Sequence, residues 1–166
     1  GGAAAVRTAV AKIREMVPDA IIRTTAIVGF PGETEEDFVE LCEFVRDTEF
    51  DRFGAFTYSR EEDTPAYDFE DVVDPQVAQD RYDILMKTQL NVSEAYNKTR
   101  VGKVYHVLCE GFDPVSEAYV GRSYAEAADI DGKIWFTSSH PVSEGEMVDV
   151  RITEYMDYDL VGETVL

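Results

Sequence analysis

The sequence predicts an α/β segment followed by a small all-β barrel. Residues 1–74 alternate helical periodicity with runs rich in β-branched residues, a pattern typical of parallel strands joined by helices. Residues 102–166 instead hold short strand-like runs separated by turn residues. A long helical pattern over residues 75–101 lies between them. We therefore predict three parts, with boundaries at residues 1–74, 75–101 and 102–166.

The composition indicates a globular protein. Of 166 residues, 45% are hydrophobic and 30% are charged. No apolar run approaches the length of a membrane span, so we expect no membrane association. Cys42 and Cys109 are 67 residues apart, which is more typical of buried thiols in a reduced compartment than of a disulfide. His106 and His140 lack partners at metal-ligand spacing, so no metal site is predicted.

The net charge limits the classes of macromolecule that the protein is expected to bind. There are 34 acidic and 15 basic residues, a net charge of −19. Nucleic-acid binding requires Lys and Arg to neutralise phosphates, so this balance argues against a direct nucleic-acid partner. It favours a basic protein through long-range attraction. At this point, an acidic surface that serves only solubility is the better explanation of the charge.

The first elements are a helix and a strand. Residues 3–17 predict a helix whose apolar face would carry four residues at spacings of four, three and four, namely Val6, Val10, Ile13 and Val17. Pro18 ends it. The run "AIIRTTAIV" at 20–28 is β-branched and predicts a buried strand.

A second helix and strand complete a βαβ unit. Thr34 is a good N-cap, with Asp37 at the capping-box position, for a helix over residues 35–47. Residues 52–59 predict the next strand. Such a unit has parallel strands, and its functional edge lies where the strands end. Two segments reach that edge, Gly29 to Glu33 and Thr57 to Glu62.

The remaining elements are a loop, a long helix and five strands. Residues 60–74 lack apolar periodicity and predict a loop, and Asp74-Pro75 begins a helix that runs to about Thr99. Its apolar stripe comprises Ala78, Tyr82, Leu85, Gln89, Val92 and Tyr96, with Met86 beside it. Five short antiparallel strands then predict a closed barrel resembling an oligonucleotide-binding fold, at 104–110, 118–122, 133–137, 147–155 and 158–165.

The stretch "GFPGE" at 29–33 joins strand to helix through two glycines. Glycine permits a tight turn, and this explanation suffices on its own. Missing β-carbons also allow a ligand to approach the backbone at the start of a helix. The residues alone leave both interpretations open.

Several motifs in order resemble the methylthiotransferase branch of the radical SAM enzymes. They are "RTTAIVGFPGETEEDF" and "FDRFGAFTYSREEDTPAY". "VGKVYHVLCEG", "VGRSYAEAADIDG" and "EYMDYDLVGE" resemble the TRAM domain that closes such proteins. The likeness is greatest to the RimO-type branch, which modifies an aspartate of a small-subunit ribosomal protein, because Glu61-Glu62 stand where the tRNA-modifying branch tends to have proline and arginine. Asp63 departs from the pattern, which has glycine there.

This resemblance implies a fold, cofactors and a site. The fold is the C-terminal portion of a radical SAM partial (βα) barrel, followed by a five-stranded TRAM barrel. The cofactors are S-adenosyl-L-methionine and two [4Fe-4S] clusters. Adenosylmethionine would contact Ile27, Val28, Gly29 and Glu33. The catalytic residues are not identified.

The resemblance also implies that the chain is part of a longer enzyme. The CxxxCxxC set that holds a radical SAM cluster does not occur in this sequence, so we expect a C-terminal fragment that is inactive alone. Residues 1–6 fit the family poorly. The whole enzyme would methylthiolate the β-carbon of an aspartate in a basic ribosomal protein in the cytoplasm, with the TRAM domain binding that protein. A tRNA methylthiotransferase fragment and a non-catalytic protein-binding module are the alternatives.

Overall fold

The computed structural model describes residues 2–165 and divides the chain into two compact units. The first ends at Val92 and the second begins at Ser93, so the division falls within the long helix. None of the helices in this described range is long and apolar enough to cross a membrane.

The first unit contains a two-stranded parallel sheet and its helices. Strands β1 and β2 pair in parallel from Arg23↔Arg52 to Val28↔Thr57, as the sequence predicted. The elements in order are α1 (Ala3–Met16), β1 (Arg23–Val28), α2 (Glu35–Thr48), β2 (Arg52–Thr57), a 3₁₀ helix (Pro65–Asp68) and the first part of α3 (Pro75–Arg100). The 3₁₀ helix lies in the segment predicted as a loop and begins at a proline, which suits a first helical turn.

A capping box fixes the start of α2. The Thr34 hydroxyl accepts a hydrogen bond from the Asp37 N–H, and the Asp37 carboxylate accepts one from the Thr34 N–H. Hydrogen bonds from the backbone and then the side chain of Thr34 lower the pKa of Asp37. This predicted cap is confirmed, and it sets where the turn before α2 must end.

The core of this unit lies between the sheet, α2 and α3. Its buried members are Val28, Phe38, Val45, Ala55 and Leu85. The amide of Gln89 donates to the Phe50 carbonyl at 3.1 Å, which satisfies a buried acceptor. Along α1 the predicted apolar face is only partly buried, because Val10 is buried whereas Val6, Ile13 and Val17 are exposed.

The second unit is a closed five-stranded barrel. Its strand order is β3-β4-β5-β7-β6. The strands are β3 (Val104–Asp113), β4 (Ala118–Arg122), β5 (Ile134–Thr137), β6 (Met147–Tyr155) and β7 (Leu160–Thr164). The prediction that all strands run antiparallel was wrong for one pair, since β5 and β7 are parallel from Ile134↔Leu160 to Thr137↔Glu163. Closure through this pair removes both sheet edges.

The barrel core is apolar and includes one thiol. It comprises Val107, Cys109, Ile134, Phe136, Val142, Val150, Ile152 and Leu160. The last turns of α3 belong to the same compact unit, where Asn97 and Arg100 are buried. The N–H of Gly102 donates to the Ile152 carbonyl at 2.8 Å, which attaches the segment after α3 to β6.

Candidate functional site

The candidate site lies where β1 and β2 end. Because the strands are parallel, the turn at Gly29–Glu33 and the segment that begins at Tyr58 emerge at the same edge. The Tyr58 N–H donates to the Val28 carbonyl at 2.8 Å, so the two chain segments leave the sheet side by side.

Gly29 begins the turn in a conformation that few other residues adopt. Its φ is 72°, in the left-handed region. A β-carbon at this position would collide with Cβ of Ala78, on α3. The Gly29 N–H donates to Glu33 Oε1 at 3.0 Å. Glycine is therefore required here both by backbone conformation and by the close approach of α3.

Arg81 joins this turn to α3. Its guanidinium donates to Glu33 Oε1 at 2.7 Å and to the Glu33 carbonyl at 3.3 Å. A further bond of 3.2 Å reaches Glu35 Oε2. The side chains of Arg81 and Glu33 are 8% and 11% exposed, so this ion pair is almost completely shielded from water.

Aromatic side chains pack the following loop against the turn. The Phe30 ring meets the rings of Tyr58 and Phe69 edge to face, at centroid distances of 5.2 and 6.0 Å. The Tyr58 hydroxyl donates to the Ala66 carbonyl, and the Gly32 N–H donates to the Asp71 carbonyl at 2.7 Å. The loop over residues 60–74 is thus held to the turn by side-chain and backbone contacts.

The four predicted cofactor-contact residues have different environments. Gly29 and Glu33 are bonded to each other, as described above. Ile27 is 52% exposed, and its partner across the sheet, Phe56, is 65% exposed. Val28 is fully buried in the core under α2. The structure therefore brings Gly29 and Glu33 together and places the side chains of Ile27 and Val28 on opposite sides of β1.

Sequence reasoning missed Arg81 and Phe56 as parts of this site. A charged residue in a helix is normally assigned to the solvated face. Arg81 nevertheless lies three residues after Ala78 and four before Leu85, so helical spacing places it on the predicted apolar stripe. Phe56 could have been found from the register of a parallel pair, since it lies directly opposite Ile27.

Asp63 stands where the resemblance predicts glycine, and its backbone has a positive φ. Asp63 adopts a φ of 64°, in the left-handed region that glycine enters without strain and that aspartate tolerates better than most residues. Asp63 therefore holds a backbone conformation in which glycine would be unstrained.

The metal-ligating residue types are scattered. Within residues 2–165, no three His, Cys, Asp or Glu side chains are grouped so that they could hold a metal ion. Cys42 is half-buried in the first unit, and Cys109 is buried in the barrel. His106 is exposed and contacts Asp149 across β3 and β6 at 2.6 Å. The cysteine pair does not fit the ligand set of an iron–sulfur cluster.

The barrel surface is acidic. From residue 102 onward the sequence holds 13 Asp and Glu against 4 Lys and Arg. One of those cations, Arg122, is bonded to Glu110 at 2.7 Å. Exposed apolar side chains accompany the charge, including Phe112, Val115 and Tyr124.

Comparisons with known proteins identify one domain family and a set of similar proteins. Residues 101–165 match the TRAM domain family. The whole chain is similar to proteins named "Ribosomal protein uS12 methylthiotransferase RimO". The Acetivibrio thermocellus relative is 47% identical over 160 residues, which cover 96% of the chain and 35% of the relative. The Citrifermentans bemidjiense relative is 44% identical over 99% of the chain and 37% of its own length. The chain thus spans about a third of the curated relatives it matches.

Proposed function

Because the chain belongs to the RimO-type methylthiotransferase family and ends in a TRAM domain, we propose that it is the C-terminal part of an enzyme acting on a ribosomal protein. The reaction would place a methylthio group on the β-carbon of an aspartate in a small-subunit ribosomal protein. We further propose that residues 1–74 form the end of a radical SAM partial barrel, residues 75–101 the linking helix and residues 102–166 the TRAM domain. The site of action would be the cytoplasm.

The observation that carries the cofactor proposal is the exposed apolar pair Ile27 and Phe56 beside the Gly29 turn. An adenine ring requires an apolar surface together with a backbone that leaves room for it. Ile27 would supply that surface. Val28, whose side chain is in the core, would hold β1 in place. Gly29 would keep the backbone free of a β-carbon, and Glu33 would shape the turn from within.

The iron–sulfur clusters are proposed for the whole enzyme and not for this chain. Cys42 and Cys109 lie in different compact units and cannot supply three thiolates from one loop. When adenosylmethionine is bound with a reduced cluster, it supplies the radical chemistry needed to remove hydrogen from an unactivated carbon. The residues of this chain would orient the cofactor and shield it from water.

The cofactor proposal is tested in the full-length protein. Ile27→Asp should weaken adenosylmethionine binding about tenfold or more, because a carboxylate would replace an apolar contact. Val39→Asp is the matched control, since Val39 is 49% exposed on α2 and lies outside the turn. Equal affinities in the two variants would remove Ile27 from the site.

The acidic barrel supports the substrate proposal. A lysine- and arginine-rich ribosomal protein would be attracted to it, whereas tRNA would be repelled. Titration of the 166-residue chain against uS12 and against tRNA, at low and high salt, separates the two. We expect uS12 to bind, with association slowed by salt. Binding of tRNA without binding of uS12 would favour a tRNA-modifying enzyme instead, and mass spectrometry of uS12 treated with the full-length enzyme would then show no added methylthio group.

A further inference from the structure

Arg81 is a buried cation whose donors converge on one short turn. It donates two hydrogen bonds to Glu33, one to the side chain and one to the backbone carbonyl. A third goes to the more exposed Glu35 at the start of α2. The guanidinium also lies over the Phe38 ring, 5.4 Å from its centroid. These contacts fix its orientation within the first unit.

Glu33 connects the Arg81 guanidinium to Gly29, the first residue of the turn. The same oxygen that accepts from Arg81, Oε1, also accepts the Gly29 N–H at 3.0 Å. One carboxylate oxygen therefore connects α3 with the residue that directly follows β1. The pair is nearly buried, and a buried charge that loses its partner is strongly destabilised, so neither side chain can leave without disturbing the other.

Ala78 makes the second contact between α3 and the turn. It lies three residues before Arg81, on the same helix face, and occupies the space into which a side chain at position 29 would project. The turn is thus restrained from α3 by van der Waals contact at Gly29 and by an ion pair at Glu33. Both restraints act on the backbone whose exposed neighbour is Ile27.

We infer that Arg81 is a positioning residue, which acts through Glu33 to hold the Gly29–Glu33 turn in the conformation that adenosylmethionine meets. The inference rests on the proposed function for the identity of the ligand. Glu33 then works as an internal brace of the turn, and its contribution to cofactor binding comes through the Gly29 backbone.

The brace itself is tested in the 166-residue chain by amide hydrogen exchange at Gly29. Arg81→Met should raise the exchange rate of the Gly29 N–H about tenfold or more, because Glu33 loses the partner that keeps its carboxylate in place. Lys87→Met is the matched control, since Lys87 is exposed on the same helix and loses the same charge. Unchanged exchange at Gly29 in folded Arg81→Met would overturn the inference, whatever ligand the site takes.

Two further variants cover the case in which Arg81→Met does not fold. Arg81→Lys keeps the charge but not the forked donors, so it should fold and protect Gly29 less than the wild type does. The double variant Arg81→Met/Glu33→Gln leaves no buried charge unpaired and retains an amide oxygen that can accept the Gly29 N–H. We expect it to fold with intermediate protection, and wild-type protection in both variants would contradict the brace.

The connection to the cofactor is tested separately in the full-length enzyme. Arg81→Lys should weaken adenosylmethionine binding severalfold, while Lys87→Met should leave it unchanged. If the wild type binds no adenosylmethionine, the proposed function fails, and the cofactor part of this inference fails with it. If Arg81→Lys lowers the protection of the Gly29 N–H but leaves the affinity for adenosylmethionine unchanged, Arg81 restrains the turn without affecting cofactor binding. That outcome would disprove the role of Arg81 as a positioning residue.

Discussion

Arg100 and Glu126 form a buried ion pair within the barrel unit. Their side chains are 1% and 3% exposed, and an Arg100 nitrogen lies 2.5 Å from Glu126 Oε1. The other carboxylate oxygen accepts hydrogen bonds from the N–H and hydroxyl of Ser123. The Tyr105 ring lies 4.5 Å from the guanidinium carbon. These contacts attach the last turn of α3 to β3 and to the segment after β4.

Removing either charge should destabilise the barrel strongly. Arg100→Met and Glu126→Gln should each cost about 3–5 kcal/mol, because the partner is left buried without compensation. The double variant should cost less than the two single variants together. Urea unfolding followed by the fluorescence of Trp135, the chain's single tryptophan, reports on this unit because Trp135 lies in β5.

A surface pair in the same barrel provides the control for this prediction. Arg122 and Glu110 are 2.7 Å apart but about one-third exposed. Arg122→Met and Glu110→Gln should each cost less than about 1 kcal/mol, because solvent already screens the charges. Equal losses at the two sites would show that burial does not decide the contribution of the Arg100–Glu126 pair.

The Arg100–Glu126 pair makes the stability of the barrel depend on pH. Burial alone would raise the pKa of Glu126, but hydrogen bonding and the charge of Arg100, together with hydrogen bonds from Ser123, outweigh it and lower the pKa. A carboxyl whose folded pKa is depressed contributes stability above its unfolded pKa and loses it as pH falls through the folded value. The wild type should therefore be more stable than Glu126→Gln near neutral pH. This difference in unfolding free energy should shrink below about pH 4, where glutamate in the unfolded chain becomes protonated.

Unfolding free energies of the wild type and Glu126→Gln, measured from about pH 7 down to about pH 3, check this expectation. The difference between them should stay constant near neutrality and shrink in acid. A difference that is independent of pH would mean that the pKa of Glu126 is the same in the folded and the unfolded chain, and that the ion pair does not lower it.

The sequence predicted those helices and strands whose position is encoded by residues close together in the chain. The capping box of Thr34 and Asp37 fixed the start of α2, the β-branched run at 20–28 located β1, and the short apolar run at 52–59 located β2, each to within a few residues. The parallel pairing of β5 with β7 is a long-range choice that no local pattern encodes. The buried arginines were missed for another reason: Arg81 and Arg100 occupy stripe positions, and their burial depends on Glu33 and Glu126, which are distant in sequence.

The two thiols should differ in reactivity. Burial, and secondarily the charge of Glu35, raise the pKa of Cys42, so less of it is thiolate near neutral pH. Cys109 is 1% exposed in the barrel core. We expect slow alkylation of Cys42 in the folded chain and alkylation of Cys109 only after denaturation, measured by mass spectrometry of peptides. Rapid labelling of Cys109 without denaturant would show that the barrel opens readily.

Asp63 offers a stabilising substitution. Its φ of 64° costs an L-residue energy that glycine avoids. Asp63→Gly should be neutral or stabilise the first unit by up to about 1 kcal/mol, less than the full strain because glycine is more flexible when unfolded. Glu62→Gly, at the neighbouring position without positive φ, should instead destabilise. Proteolysis rates of the 60–74 loop distinguish the two variants, and faster cleavage of Asp63→Gly would refute the strain argument.

The last prediction separates backbone strain from steric collision at the candidate site. Gly29 and Gly32 both have positive φ, 72° and 82°, so alanine is strained at either position. Only at Gly29 would the new methyl collide with Ala78, since Gly32 has open space around it. Gly29→Ala should therefore destabilise the first unit by about 1–3 kcal/mol more than Gly32→Ala, the usual cost of overpacking. Amide hydrogen exchange of β1 and β2 measures this difference within the first unit. The double variant Gly29→Ala/Ala78→Gly should recover most of that excess, because it removes the colliding methyl group. Without such recovery, the requirement for glycine at position 29 would come from its φ alone and not from the packing of α3.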